Sequence, residues 1–256
     1  MLDERLIHSL HVTSGEHGEL PDGAEPHEVF QTSTLAALLD GALDGDISFG
    51  ELARHGDLGL GTFDAADGEM LMVDGEFFRC DAAGNAGTVP PERKTPFACL
   101  VEFTPTHRFE LPDPLDHEGL IAELDRHLGD PEEAHAIRID GRFERVHARS
   151  VPRQSKPYPP MTEVVESQHV FDFTDVEGTM VGFRFPDFAA QLNVPGYHLH
   201  FITADRARGG HVLACSPAGV EIAIDDETKI RLELPTGVDL GKAASAEALD
   251  RVEHRD

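Results

Sequence analysis

His198, His200 and His211 are the residues whose type and spacing point most directly to chemistry. They lie in PGYHLHFITADRARGGH, Pro195 to His211. Read as a strand, 198–202 alternates across a sheet, so the two imidazoles share one face while Leu199 and Phe201 take the other. Asp205, Arg206, Gly209 and Gly210 suit a turn, and the apolar run that follows begins with the third histidine. Three neutral imidazoles converging on one face leave a divalent ion such as zinc with an open coordination position, as catalytic rather than structural sites require. Fifteen histidines are spread over the chain, so any one alone reads as a surface residue. Three on one face of a hairpin do not.

The elements that must carry this hairpin follow from periodicity. Residues 1–28 are polar, acidic and rich in Gly and Pro, which predicts a loose arm with solvated histidines, His8, His11, His17 and His27. In QTSTLAALLDGALDGDI, Thr32 or Ser33 offers an N-cap to a helix carrying Leu35, Leu38 and Leu39 and ending at Gly41. A second short helix is expected over Phe49 to Arg54, then a meander of LGLGTF, EMLMV and EFFRC with turns at Asp67-Gly68 and Asp74-Gly75. Gly84 to Thr95 reads as a loop and PFACLVEFTP as a strand, and HEGLIAELDRHL as an amphipathic helix burying Leu120, Ile121, Leu124 and Leu128. Hairpins are expected around Asp140-Gly141, Glu177-Gly178 and Asp225-Asp226, a short helix over Pro186 to Leu192 and a last one in SAEALDRVE.

Strands in hairpins with few helices between them predict an α+β fold: two similar sub-domains of mixed, largely antiparallel β-sheet with a few flanking helices. The proline-rich RQSKPYPPM is the expected boundary. The division is then 1–28 as a flexible acidic arm, 29–152 as an N-terminal α+β sub-domain, and 153–256 as a metal-binding β-rich sub-domain with a helical tail.

Composition narrows the function. The 256 residues carry a net charge of −27, which opposes nucleic acid or an anionic membrane as partner. Abundant Asp beside scarce Lys is the balance of cytosolic proteins from salt-loving microbes. Cys80, Cys99 and Cys215 are odd in number and far apart, so neither a disulfide framework nor a cysteine metal site is indicated. With no membrane-length apolar run and charges where a signal peptide needs its apolar segment, a cytoplasmic location is expected.

Several separated segments together resemble the α-acetolactate decarboxylase family: QTSTLAALLDG, LGLGTFDAADGEM, IRIDGRFERVHARSVPRQSKPYPP and PGYHLHFITADRARGGHVLAC, within a likeness running from about Val29 to Glu253. The resemblance implies zinc held by His198, His200 and His211 and no organic cofactor. It implies catalytic roles for Glu69 from the Asp-Gly-Glu turn, Arg149 from the Arg-Ser-Val-Pro strand and Glu253 from the C-terminal tail. Thr62 in Gly-Thr-Phe falls at a position lining the substrate pocket, with Arg149 also meeting substrate. The implied reaction is loss of CO2 from 2-acetolactate to give acetoin through a metal-stabilised enediolate, in a homodimer. Arg149 suits this as a permanently charged planar fork for a carboxylate, and carboxylates near a buried metal suit proton transfer. Outside that setting Glu69 would be a solvated turn residue, Arg149 a surface ion-pair member and Glu253 an exposed helix-end charge.

Two other readings of the hairpin stay open. Gly-x-His-x-His also begins the metal motif of cupin oxygenases and isomerases, which supply a glutamate shortly after; Phe201 to Asp205 contains none. Small trimeric interaction modules related to DNA-binding proteins carry a similar hairpin, but they are about half this length and Glu69 and Arg149 would have no purpose in them.

Overall fold

The structure is a computed structural model and describes residues 4–235 and 246–253. α1 (Arg5–His8) leads into β1 (Val12–Glu16) and β2 (Glu28–Thr32), followed by α2 (Leu35–Leu39), β3 (Ile47–Ser48) and α3 (Phe49–Leu52). Seven strands come next: β4 (Leu58–Thr62), β5 (Glu69–Val73), β6 (Glu76–Cys80), β7 (Ala86–Thr88), β8 (Lys94–Thr95), β9 (Ala98–Val101) and β10 (His107–Leu111). After α4 (His117–His127) come β11 (Ala134–Ser150), α5 (Met161–Val164) with a 3-10 turn at Val165–Ser167, and β12 (His169–Phe185). β13 (Gly196–Thr203), β14 (Gly209–Glu227), β15 (Lys229–Leu234) and α6 (Ala246–Glu253) complete the order.

The fold is α+β, with mixed but largely antiparallel sheets. One sheet runs β1-β15-β2-β9-β4-β5-β6-β7; a second runs β10-β14-β11-β12-β13, and β13 also pairs with β14, so its four central strands close on themselves. The alternation of each strand decides how the sheets meet. Leu58, Leu60, Leu71 and Val73 of the first sheet pack against Val181, Phe183 and Ile202 of the second in one shared core. The opposite face of the second sheet buries Ile139, Met180, Leu199 and Phe201 under Leu120 and Leu124 of α4. A third cluster joins α2, α5 and α6 through Leu35, Leu38, Met161, Val164, Leu249 and Val252.

Local signals explain the helices that flank the site. Thr34, not Thr32 or Ser33, caps α2 by accepting from the Ala37 amide, and Ser48 with Glu51 forms a capping box on α3. Gly41 follows α2 at φ 90°, as expected of a helix-ending glycine. Asp74-Gly75 is a tight turn with both φ positive (53° and 80°). Two short strands, β7 and β8, occupy the stretch expected as a loop.

Three expected hairpins are absent. Asp140-Gly141 and Glu177-Gly178 lie inside β11 and β12, single 17-residue strands paired with each other, with Gly141 opposite Gly178. These glycines serve close packing instead of reversal: a Cβ on Gly141 would fall 2.4 Å from the Gly219 carbonyl oxygen, and one on Gly178 2.5 Å from the Phe201 ring. At Asp225-Asp226 the chain does not turn back; β15 leaves for the first sheet and runs parallel to β2 and β1.

The expected 152/153 boundary does not separate the sheets. β15 lies in the first sheet, and β10 and β11 lie in the second. The N-terminal segment is also not a loose arm. Leu6 and Leu10 are buried in the shared core, and β1 pairs with β15. Its histidines remain largely exposed, yet His11 Nδ1 lies 3.1 Å from the Thr228 carbonyl, His27 Nδ1 lies 2.8 Å from Asp225 Oδ1, and His17 contacts Glu233. No helix among the described residues is long and apolar enough to cross a membrane.

Gly182 couples this packing to the histidine strand. It pairs with Leu199, and a Cβ there would lie 2.0 Å from the His198 carbonyl oxygen. Gly182→Ala is therefore expected to push β13 away from β12 and destabilise the chain by at least the roughly 1–3 kcal/mol typical of forced overpacking. Urea unfolding measures this; an unchanged midpoint would contradict the registration.

Candidate active site

The site sits at one end of the layer between the two sheets. On β5, Glu69 shares the inward face with Leu71 and Val73; on β13, His198 and His200 share theirs with Ile202. Antiparallel pairing places His200 directly opposite His211 across the hairpin, as the sequence predicts. Arg149, near the end of β11, is itself paired with His211. α6 brings Glu253 from above.

All seven residues expected at the site, Thr62, Glu69, Arg149, His198, His200, His211 and Glu253, line one small cavity. The three histidines each offer a ring nitrogen, all within 4.8 Å of one another, and His198 Nε2 lies 3.2 Å from His200 Nε2. His200 is oriented from behind: its Nδ1 is 2.8 Å from the Met70 carbonyl oxygen, to which it donates, leaving Nε2 as a lone-pair donor facing the cavity. Because Met70 follows Glu69, one strand both supplies the carboxylate and aims the histidine.

Charge around the triad is almost wholly withdrawn from water. His200, His211, Arg149, Glu253 and Glu69 are between 1% and 6% exposed. Burial, reinforced by neighbouring cationic groups, holds His200 and His211 well below the usual imidazole range, so both rings are neutral ligands at ordinary pH. Burial pushes Glu69 up to about 7 against the opposing pull of Arg149, with Glu253 adding to the rise. Glu69 Oε2 lies 3.7 Å from His200 Nε2, and its Oε1, 3.7 Å from Arg149 Nη1, is buried with no hydrogen-bond partner. Glu253 Oε2 lies 3.7 Å from His211 Nε2 and 4.0 Å from His198 Nε2. Arg149 Nη2 donates to the Val252 carbonyl at 2.6 Å, tying the inner strand to α6.

Three convergent imidazole nitrogens, with acidic side chains beside them and a buried carboxylate oxygen still lacking a partner, form a donor set that fits a divalent metal ion. Thr62 acts one step back. It pairs with Glu69, and its hydroxyl donates to the Gly68 carbonyl at 2.9 Å, fixing the turn that delivers the glutamate.

Opposite the polar wall is an apolar one of Leu35, Leu38, Phe97, Val151, Met161 and Val252. The sequence reading did not assign these residues to the site. Leu35 and Leu38 carry an ordinary helix-core pattern, and nothing local distinguishes a leucine lining a cavity from one filling a core.

The family model for alpha-acetolactate decarboxylase matches residues 29–244. The chain is 47% identical over 236 residues to the alpha-acetolactate decarboxylase of Methylococcus capsulatus, covering 91% of this chain and 90% of that protein. It is 43% identical over 215 residues to that of Methanosarcina mazei, covering 84% and 75% respectively. The crystal structure of alpha-acetolactate decarboxylase from Bacillus subtilis strain 168 superposes with a TM-score of 0.86 at 36% identity, over 89% of this chain and all of that one.

Proposed function

Since the chain belongs to the alpha-acetolactate decarboxylase family, we propose that its buried histidine cluster is the centre of a metal-dependent carboxy-lyase site converting 2-acetolactate to acetoin and CO2. The protein is an acetolactate decarboxylase acting on a small molecule. Zinc is the metal we assign, held by His198, His200 and His211. The observation that carries this reading is the convergence of three buried imidazoles beside Glu69, Arg149 and Glu253 in one cavity.

A divalent ion held by His198, His200 and His211 would supply positive charge that stabilises the enediolate oxygen formed when CO2 departs. The chain's own residues do the rest. Arg149 meets the substrate carboxylate with its charged fork, and its contact with the Val252 carbonyl holds that fork in one orientation. The apolar wall covers the two methyl groups and excludes water, which strengthens every charge interaction inside. Loss of CO2 turns the remaining ketone into an enediolate, which needs one proton at the carbon that carried the carboxylate. Glu69 is the first donor by position, since its carboxyl is buried beside the histidines and Arg149 where the substrate binds. Glu253, on the opposite side of the histidines, is the group that returns protons to the site. Thr62 holds the Glu69 turn and borders the substrate.

The test is acetoin formation from racemic 2-acetolactate with elemental analysis of the purified protein. Exhaustive chelation is expected to abolish turnover, and stoichiometric zinc to restore it. Undiminished acetoin formation after complete metal removal would falsify the metal assignment; bound metal without acetoin would reopen the cupin-like reading. A cytoplasmic homodimer is the assembly we assign, and sedimentation at working concentration tests the dimer.

A further inference from the structure

We propose that Arg251 and Glu166 form a positioning pair that sets the rotation of α6 and thereby aims Glu253 into the site. The inference rests on the reading above, in which Glu253 takes part in proton movement.

α6 has eight residues, too few to hold itself in place in water, so its attachments determine where it lies. Several of these are on its inner side. Leu249 and Val252, three residues apart and on one face, enter the apolar cluster with Met161 and Val164, Arg149 donates to the Val252 carbonyl, and His211 Nε2 lies 3.3 Å from the Glu253 carbonyl oxygen. The two polar contacts act on backbone carbonyls at the C-terminal end, close to the helix axis, where they have little leverage on the roll of the helix. A directional contact on the outer side has that leverage. Roll matters because successive residues are 100° apart, so a small rotation swings the Glu253 carboxylate away from His198 and His211, now 4.0 and 3.7 Å away.

Arg251 lies two residues before Glu253 and projects from the other side of the helix. Its Nη2 is paired with Glu166 in the 3-10 turn that follows α5. That turn is anchored, since Val164 and Val165 are buried in the same cluster. A guanidinium–carboxylate contact is directional and joins the outer side of α6 to a fixed point, which is what a roll stop requires. Both side chains are more than one-third exposed, so the pair adds little to global stability, and its removal leaves a folded chain.

The test is a mutant cycle on the metal-loaded, full-length enzyme. Arg251→Gln and Glu166→Gln are each expected to lower kcat by about three- to tenfold, with KM and the melting temperature nearly unchanged and no further loss when combined. The exchanged pair, Arg251→Glu with Glu166→Arg, is expected to recover most of the loss. In a Glu253→Gln background, adding Arg251→Gln is expected to change kcat by less than about twofold, because the pair acts only through that carboxylate. Hydrogen exchange of the 246–253 amides in the metal-free chain is expected to quicken in Arg251→Gln. An unchanged kcat, unchanged exchange, or an equal loss in the Glu253→Gln background overturns the proposal. If Glu253→Gln alone is fully active, the reading of Glu253 falls with it; if Glu253→Gln is impaired and Arg251→Gln is not, only the positioning pair falls.

Discussion

His200→Gln is expected to yield a folded protein that retains less than about a tenth of an equivalent of divalent metal and forms acetoin at least about 10³-fold more slowly. His200 is a member of the triad, 1% exposed and oriented by the Met70 carbonyl. Its neighbour His198 is 3.2 Å away nitrogen to nitrogen, so two ligands remain but a three-point site does not. A metal contributes several kcal/mol of transition-state stabilisation, and each 1.4 kcal/mol is a factor of ten, which sets the size of the loss. Glutamine roughly conserves length and polarity, so the loss should come without unfolding. Elemental analysis, a melting curve and initial rates on one preparation separate the possibilities. Metal content and turnover near wild type would remove the triad from the chemistry; a collapsed melting transition would show that His200 chiefly holds β13 in place.

The second large effect is on stability and lies outside the active site. Glu227, at the end of β14, is fully buried, and both carboxylate oxygens lack a hydrogen-bond partner. Burial, then Asp225, Asp226 and Glu28, pushes it from 4.5 up to about 9. Nearby His135, also fully buried, is pushed from 6.5 down to about 4, chiefly by burial and against the pull of Asp226. The signs oppose. Between about 4.5 and 9 the folded chain keeps a proton on Glu227 that the unfolded chain has lost, so stability falls as pH rises. Between about 4 and 6.5 the unfolded chain carries a proton on the imidazole that the folded chain refuses, so stability rises with pH. The two contributions nearly cancel on the acidic side. Glu69, pushed up to about 7 in the metal-free chain, adds a decline of the same sign that is spent near that pH. Above pH 6.5 His135 no longer opposes, and Glu227 contributes about 1.4 kcal/mol per pH unit, or roughly 3 kcal/mol by pH 9. Urea unfolding of the metal-free protein from about pH 7.5 to 9, compared with Glu227→Gln, should show a decline that is clearly steeper in wild type. Parallel curves for the two proteins would mean that Glu227 is ionised in the fold.

Legibility of the molecule from its residues varied with how local the cause was. The triad was readable because alternation within one strand and a turn of a few residues place all three rings; nothing beyond 195–214 is needed. Asp74-Gly75 was readable for the same reason, since its backbone dihedrals are a local matter. Asp140-Gly141 and Glu177-Gly178 misled because the same dipeptides that reverse a chain also permit two long strands to lie close. Only the Gly219 backbone and the Phe201 ring, remote in sequence, decide between the two. Residues 1–28 misled differently: their composition is polar, but Leu6 and Leu10 find apolar surface on strands that form much later in the chain. At the site, the nearness of Glu69, Arg149 and Glu253 followed from likeness to a family. Three elements meet there, and no spacing rule links residues 69, 149 and 253.

The placement of β15 between β1 and β2 has a consequence for how the protein comes into being. Residues 229–234 occupy the slot that separates two strands from the first 32 residues, parallel to both. As the chain leaves the ribosome, β1 therefore waits through some two hundred residues of synthesis for its only hydrogen-bonding neighbour among the described strands. The first sheet cannot close early, and its open edge on β2 must be kept from pairing with other nascent chains during that interval. Assembly of this enzyme is a late event, in which the strand that completes the sheet emerges only after the histidine hairpin has been made.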